Sequence, residues 1–141
     1  MDAMADSGHV LVIGSAGIDV IGRPDHTLIS GASIPGRIRS SVGGVARNIA
    51  ENLARLEVPT ILLSAVGDDA PGERVRHRCE EAGIDISRVQ VLPEKRTGHY
   101  MATLTTEGQL DNAISDYDIA HAINARYLRQ HEDVLKTAEL V

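Results

Sequence analysis

The sequence predicts an α/β fold in which a mainly parallel sheet is flanked by helices. Continuous apolar runs such as Val10–Ile13 and Thr60–Val66 are typical of strands buried on both faces, as in parallel sheets. Segments with helical spacing of apolar residues alternate with these runs, and this order implies right-handed crossovers between parallel strands. The chain has 141 residues, 43% of them apolar, which is enough for one domain, taken as residues 1–141.

The first predicted strand, Val10–Ile13, ends at Gly14. The stretch that follows, Ser15–Ser41, is broken by glycines and prolines with short apolar pieces between them. Because long unstructured loops are uncommon in compact domains, we expect short strands of a small antiparallel flap here. A second antiparallel pair is expected from His99–Thr105 and Gln109–Ser115, which read as a hairpin.

Two helices are predicted in the first half of the chain. The first opens at Gly43-Gly44 and is stopped by Pro59, and the second has Pro71 near its start and Gly83 as its C-cap. Apolar residues at helical spacing give each helix one buried face. The expected faces are Ala46, Ile49, Ala50, Leu53 and Leu56 in the first helix, and Val75, Cys79 and Ala82 in the second.

The remaining elements complete the alternation. Ile84–Leu92 is predicted as a third strand, Asp118–Ala125 and Tyr127–Lys136 as short helices, and Ala138–Val141 as the beginning of another strand. A parallel strand with nothing after it leaves a hydrophobic edge uncovered. We therefore expect that the fold is truncated before a C-terminal half.

Composition narrows the function classes. The net charge of −6 argues against binding to nucleic acid, and the presence of only three tyrosines, without Phe or Trp, argues against stacking platforms for single strands. The single cysteine, Cys79, fits a reducing, cytoplasmic setting, and the six histidines show no metal-ligand spacing. Residues Met1–Gly8 lack a basic region and the apolar run after them is short, so neither a signal peptide nor a membrane partner is expected.

Three polar, glycine-containing segments fall at predicted strand ends or helix starts, where open α/β sheets bind ligands. They are Gly14–Asp19, Gly43–Asn48 and Gly67–Asp69. Carboxylates accept hydrogen bonds from hydroxyls, amides both donate and accept, and glycine lets the backbone approach closely. The three segments therefore predict a polar crevice suited to a polyhydroxylated ligand.

These residues carry a resemblance to a known family. The run Ser41–Leu56 is similar to the first signature of the PfkB family of ribokinase-type carbohydrate kinases, and the flanking Asp19 and Gly67–Asp69 occur in the family's order. The pair Thr97-Gly98 before a hairpin strand resembles the family's lid. The run Gly43–Leu56, together with Ala113–Ile119, looks most like the pseudouridine-kinase-type branch. The resemblance covers essentially the whole chain and implies a ribokinase-like, Rossmann-type parallel sheet with a small antiparallel β lid.

The resemblance also implies roles for single residues. A small-molecule sugar or nucleoside would be bound by four of them, Asp19, Gly43, Gly44 and Asn48. Arg47 and Thr97 are further candidates for substrate binding, although the default place for such an arginine is the helix surface. The lid segments, about 18–41 and 97–114, would close over the substrate and exclude water. In many relatives the lid also pairs subunits, which implies a possible homodimer.

Two departures from the family pattern matter. The second signature, a Gly-Ala-Gly-Asp run that supplies the anion hole and the catalytic base, is absent, as is the ATP site. No catalytic residue is therefore expected in this chain, and ATP and Mg²⁺ are expected to serve the complete kinase without binding tightly here. Glu57 stands where relatives usually have a helix-capping glycine, which costs about 1 kcal/mol if the left-handed conformation is kept.

Three functions remain in view. In the first, the chain is the substrate-binding half of a sugar or nucleoside kinase and would be inactive alone. In the second, it is a non-catalytic module that binds a sugar or dimerises through its lid. The third is a dinucleotide-binding domain, suggested by Gly14–Gly17. That segment does not meet the Gly-x-Gly-x-x-Gly pattern, and no helix is predicted directly after it.

Overall fold

The computed structural model describes residues 8–141; residues 1–7, and with them most of the N-terminal segment Met1–Gly8, lie outside the described part. The α/β prediction is confirmed. In chain order the elements are β1 (His9–Ile13), β2 (Gly17–Pro24), β3 (Gly36–Gly43), α1 (Val45–Arg55), β4 (Thr60–Leu63), β5 (Ala65–Gly67), α2 (Ala70–Glu81), β6 (Gln90–Leu92), β7 (Gly98–Leu104), β8 (Leu110–Asp116), a 3₁₀ helix (Asp118–Ala122), α3 (Ala125–Gln130), α4 (Glu132–Thr137) and β9 (Ala138–Leu140).

A parallel sheet forms the centre of the molecule. Its order is β4-β1-β9, and β1 pairs in parallel with both neighbours. Leu62 on β4 packs on the side of α1 and α2, whereas Leu11 and Leu63 face α3 and α4. All three leucines are buried, which explains the unbroken apolar runs in the sequence. The strand predicted at the end of the chain is confirmed as β9.

Two predicted strands are shorter than expected. The run Thr60–Val66 divides at Ser64 into β4 and β5, and β5 pairs with β6 in a separate parallel sheet. The run Ile84–Leu92 is a strand only from Gln90 onward. Before that, the Asp85 carboxylate accepts a hydrogen bond of 2.8 Å from the Ser87 backbone N–H. Asp85 itself forms only an isolated parallel bridge to Ile61, and the turn after it interrupts strand pairing until Gln90.

A second sheet of four strands forms the lid, in the order β3-β2-β7-β8. The outer pairs β2–β3 and β7–β8 are antiparallel, as predicted for the two flap segments. The inner pair β2–β7 is parallel, so the sheet as a whole is mixed and the expectation of a wholly antiparallel lid needs this correction. The pairing of β2 with β7 joins the two hairpins side by side.

Helix α1 confirms the predicted position but not the whole predicted face. Ala46 and Ala50 are buried, whereas Ile49 is 48% exposed and Leu56 75% exposed. Arg47 and Glu51 take the buried positions instead, because they form an ion pair with each other. Apolar spacing alone could not reveal this substitution of a paired charge for an aliphatic side chain.

The helix ends confirm the capping predictions. Glu57 adopts φ +62, so the left-handed conformation expected after α1 is kept although the residue is not glycine. Helix α2 carries a proline in its first turn and is followed by Gly83 at φ +82.

The helical region near the end of the chain has more elements than predicted. The side chain of Asn124 caps α3, and His131 separates α3 from α4. The two helices expected near the end are therefore a 3₁₀ helix and two short α-helices. In the described part of the chain, no helix is long and apolar enough to cross a membrane.

Candidate functional site

A cavity of about 420 Å³ lies where the lid sheet meets the start of α1. It is formed by the β1–β2 connection, strand β2, the first turn of α1, strands β7 and β8, and the residue after β8. Asp19, Gly44 and Asn48, three of the four predicted binding residues, lie together in its wall. The complete lining is Ser15, Asp19, Gly44, Val45, Asn48, Tyr100, Ser115 and Tyr117.

Strand register builds the lid side of this cavity. Asp19 on β2 is aligned with Tyr100 on β7, and Tyr100 is aligned with Ser115 on β8. Residues aligned across neighbouring strands point to the same face of a sheet. A carboxylate, an aromatic ring and a hydroxyl therefore form one row across three strands and face the start of α1.

The Asp19 carboxylate is prepared to accept hydrogen bonds. Within residues 8–141, no protein donor reaches it at hydrogen-bond distance. Burial raises the pKa of Asp19 above its ordinary value, and the nearby positive charge of Arg47 offsets part of that rise. A partly buried carboxylate without a protein partner is satisfied when a ligand hydroxyl donates to it.

The two glycines before α1 serve this geometry in different ways. A side chain at Gly43 would overlap the carboxylate of Asp19, so Gly43 makes room for that residue beneath the cavity. Gly44 has φ +95, and a Cβ there would lie 2.5 Å from the carbonyl oxygen of Ser15. Gly44 lines the cavity itself. Both positions therefore require glycine, which agrees with the predicted helix start.

Asn48 lies one turn into α1, and its backbone N–H donates to the Gly44 carbonyl at 2.9 Å. Its side-chain Oδ1 accepts a hydrogen bond from Arg47. Arg47 does not line the cavity; it borders a separate groove between α1, α2 and β3. The default expectation of a surface arginine is wrong, because Arg47 is only 6% exposed.

Thr97 also lies outside the cavity lining. Its hydroxyl donates to the Asp69 carboxylate and accepts from the Gly67 N–H at 2.9 Å. The Thr97 N–H donates to Asp69 at 3.0 Å, and Asp69 in turn caps α2 through the Gly72 N–H at 2.8 Å. The buried hydroxyl is therefore fully used within the protein, and the geometry gives Thr97 a structural position rather than a place against a ligand.

The residues that sequence reasoning missed are mainly aromatic. Tyr117 packs against Gly98, where any side chain would overlap its ring, and a Cβ at Gly17 would lie 2.6 Å from its hydroxyl oxygen. Burial and the charge of Asp19 raise the pKa of Tyr117, while Arg47 acts in the opposite direction. The signal was present in the sequence, since Gly98 and Tyr117 belong to segments that carried the family resemblance, but their contact is visible only in three dimensions.

Comparison with known proteins identifies the family. A family model described as pfkB family carbohydrate kinase matches residues 7–141. The chain belongs to the pfkB family. The predicted resemblance and the ribokinase-like α/β fold are confirmed, and the segment Gly14–Gly17 is followed by strand β2 rather than by the helix of a dinucleotide-binding turn.

Individual relatives and solved structures match between 78% and 98% of the chain. A pseudouridine kinase from Escherichia coli K12 is 38% identical over 138 residues, which is 98% of this chain and 44% of that kinase. A carbohydrate kinase from Agrobacterium tumefaciens superposes with a TM-score of 0.82 at 30% identity, covering 94% of this chain and 44% of the other. An Arabidopsis thaliana ribokinase solved with ribose and ATP gives a TM-score of 0.69 at 25% identity, covering 78% and 36%. The chain spans less than half the length of each.

The pfkB assignment raises the question of the magnesium ion. In the part of the chain that the structure describes, no three His, Cys, Asp or Glu side chains converge to hold a metal ion. The Glu51 carboxylate, which lies one turn after Asn48 on α1, is engaged in ion pairs with Arg47, Arg55 and Arg78.

Proposed function

We propose that this chain is the substrate-binding part of an ATP-dependent sugar or nucleoside kinase, and that its substrate is a ribose-containing nucleoside of the pseudouridine type. The row of Asp19, Tyr100 and Ser115 across the lid, facing Asn48, carries this proposal. Within one cavity, these residues combine side chains that can form hydrogen bonds with hydroxyl groups and an aromatic ring on which a base can stack.

The polar side of the cavity suits a ribose. Asp19 accepts from a hydroxyl, and the Asn48 amide, whose oxygen is taken by Arg47, donates to one. The aromatic side suits a base. Two of the three tyrosines in the chain, Tyr100 and Tyr117, line this cavity, although aromatic residues are only 2% of the composition. Stacking of a base on an aromatic ring contributes about 1–3 kcal/mol.

The residues of this chain would prepare the reaction without performing it. They would bind the nucleoside, orient one hydroxyl, and exclude water beneath the lid, so that the γ-phosphate of ATP passes to that hydroxyl rather than to water. ATP and Mg²⁺ would be held by the complete kinase, because the sequence contains no Gly-Ala-Gly-Asp run to supply the base and anion hole.

Titration calorimetry of the 141-residue chain with pseudouridine, uridine, ribose and 2′-deoxyuridine tests the binding proposal. We expect the ribonucleosides to bind more tightly than ribose and the deoxynucleoside. A coupled ADP-release assay with the same ligands and Mg-ATP is expected to show no turnover. If none of the four ligands binds, the substrate assignment is refuted. If this chain alone turns over ATP, the assignment of catalysis to the complete kinase is refuted.

A second candidate function is pairing of two copies through the lid, with or without a bound sugar. Ile38, Met101 and Ile114 are exposed and share the face of the lid sheet opposite Asp19. A two-fold axis would place this face against its own copy and bury it. Light scattering after size-exclusion chromatography tests the pairing, with Ile114→Asp as the variant expected to shift a dimer to a monomer.

We also propose a cytoplasmic location. Cys79 is buried against α1 and the sheet, and burial raises the pKa of its thiol to about 11. A single thiol of this kind needs no oxidising compartment to be stable. Fractionation of cells that express the full gene product, probed with an antibody to this chain, is expected to find the protein in the soluble cytoplasmic fraction.

A further inference from the structure

Arg47 is the most deeply buried charged side chain of α1, with an exposure of 6%, and it does not touch the cavity. A buried arginine is normally held by partners. Its guanidinium donates to the carboxylate of Glu51, to the side-chain oxygen of Asn48 and, at 3.1 Å, to the Val42 carbonyl at the end of lid strand β3. Arg47 therefore joins α1, the cavity wall and the lid.

The bond to Asn48 decides which end of its amide the cavity receives. An asparagine side chain offers an oxygen acceptor and an NH₂ donor, and without a fixed partner it can present either one. The guanidinium of Arg47 can only donate, so it holds Oδ1 and leaves Nδ2 on the other side. Among residues 8–141 no protein acceptor takes the Nδ2 hydrogens, and Asn48 lines the cavity.

We propose that Arg47 is a positioning residue that fixes Asn48 as a hydrogen-bond donor toward the substrate. The use of that donor for a nucleoside rests on the proposed function, whereas the orientation itself does not. With Asp19 as acceptor and Asn48 as donor, the cavity recognises a group that both donates and accepts, which is a hydroxyl. A ketone or an ammonium group could satisfy only one of the two.

Arg47 is itself held firmly. The Glu51 carboxylate also accepts from Arg55 at 2.6 Å and from Arg78 at 2.9 Å. Although burial alone would raise the pKa of Glu51, the hydrogen bond from Arg55 and the charges of Arg47 and Arg78 lower it below its ordinary value. Glu51 therefore stays ionised at neutral pH and keeps the guanidinium of Arg47 in place.

The test uses nuclear magnetic resonance of the ligand-free chain, with the side-chain amide of Asn48 labelled with ¹⁵N. In the wild-type protein we expect a rigid amide with an order parameter close to that of the folded backbone, about 0.85, and in Arg47→Lys a value below about 0.6. Lysine keeps a positive charge beside Glu51, so the variant should stay folded, but one ammonium group cannot reach Glu51, Asn48 and Val42 in the same geometry.

Arg78→Met is the matched control, because Arg78 bonds to Glu51 on the outer side and does not contact Asn48. It is expected to leave the Asn48 amide unchanged, and pseudouridine affinity should fall about tenfold in Arg47→Lys but less than twofold in Arg78→Met. An Asn48 amide that is equally rigid in Arg47→Lys and wild type would overturn the inference. If no nucleoside binds the wild-type chain, the proposed substrate fails, while the amide measurement still decides the role of Arg47.

Discussion

Asp19 lies beside the start of α1 and Asp69 begins α2, but the two aspartates differ in their hydrogen-bond partners and in the direction in which their pKa values are shifted. Asp19 lies next to Gly43 and the start of α1, lines a cavity and has a raised pKa. Asp69 begins α2 and accepts hydrogen bonds from Gly72 and Thr97. Although burial alone would raise the pKa of Asp69, these bonds lower it. The Asp69 carboxylate is satisfied by hydrogen bonds within the protein, whereas the Asp19 carboxylate is the acceptor that the proposed ligand would use.

The difference in partners predicts that Asp19 matters for ligand binding and Asp69 for stability, although both residues are aspartates. Both aspartates follow a β-strand segment and stand near glycines, so the sequence placed both in one polar crevice. In the structure, the partners of Asp69 are the protein's own N–H and hydroxyl groups, whereas no such donor among residues 8–141 reaches Asp19. Mutations at the two positions should therefore affect different measurable quantities, and four predictions follow that comparison from the largest effect to the smallest.

The largest effect is expected for Asp69→Ala, on stability. The variant removes the N-cap of α2, worth about 0.5–2 kcal/mol, and leaves the buried Thr97 hydroxyl and N–H without their acceptor, worth about 1–3 kcal/mol. Urea unfolding should show a loss of about 3 kcal/mol in the free energy of unfolding. The neighbouring Asp68, which is exposed, serves as control: Asp68→Ala should change stability by less than about 0.5 kcal/mol. Equal losses in the two variants would contradict the structural role of Asp69.

Asp19→Asn should have the opposite signature. The amide keeps the shape of the side chain but removes the charged acceptor, and a hydrogen bond to a charged group contributes about 1.5–3 kcal/mol. Calorimetry should therefore show pseudouridine affinity lower by roughly 10- to 100-fold. The free energy of unfolding should stay the same or rise slightly, because a partly buried charge without a hydrogen-bond donor among residues 8–141 is removed. A variant that unfolds easily but binds normally would reverse the comparison.

The fold could be predicted from the sequence to a much larger extent than the different roles of Asp19 and Asp69. Apolar runs and glycines predicted β1, α1, α2, the two lid hairpins and β9, since each depends on local spacing and turn chemistry. The break at Ser64 was not predictable, because β5 pairs with β6 about 25 residues further along the chain. The burial of Arg47 was not predictable from apolar spacing, because a guanidinium is buried only when several partners surround it, and their convergence is visible only in three dimensions. The parallel pairing of β2 with β7 likewise joins segments about 80 residues apart, and no local pattern reports it.

The candidate site shows the same division. Asp19, Gly44 and Asn48 were found from strand ends and helix starts, whereas Tyr100 and Tyr117 enter the cavity through register and packing. Thr97 is a sequence candidate because it precedes a lid strand, yet its hydroxyl donates to the Asp69 carboxylate and accepts from the Gly67 N–H. The sequence indicates which segments meet, and only the partners of each side chain show whether it is available to a ligand.

Acid titration should separate the two aspartates in a single protein. The folded pKa of Asp69 lies below the ordinary value of 3.8, so its stabilising effect is present above that value and is lost only as the pH falls through the lower folded pKa. The folded pKa of Asp19 lies above 3.8, and ligand binding by its ionised form is lost as the pH falls through that higher value. Affinity should fall by about tenfold per pH unit below the Asp19 pKa while circular dichroism still reports a folded chain. In Asp19→Asn this pH dependence should disappear; if it persists, another group controls binding.

The smallest predicted effect concerns the aromatic wall. Tyr100→Ala removes the ring that is aligned with Asp19, and the loss should be about 1 kcal/mol, or roughly fivefold in nucleoside affinity, at the low end of base stacking. Ribose has no base, so its affinity should remain unchanged, and the ratio of the two affinities is the measured quantity. Tyr127→Phe is the control, since the Tyr127 hydroxyl donates to the Arg88 carbonyl in the core and the ring does not line the cavity. It should lower stability and leave the ratio intact. If Tyr100→Ala weakens ribose and nucleoside equally, Tyr100 shapes the sugar site, and the evidence for a base beside it rests on Tyr117 alone.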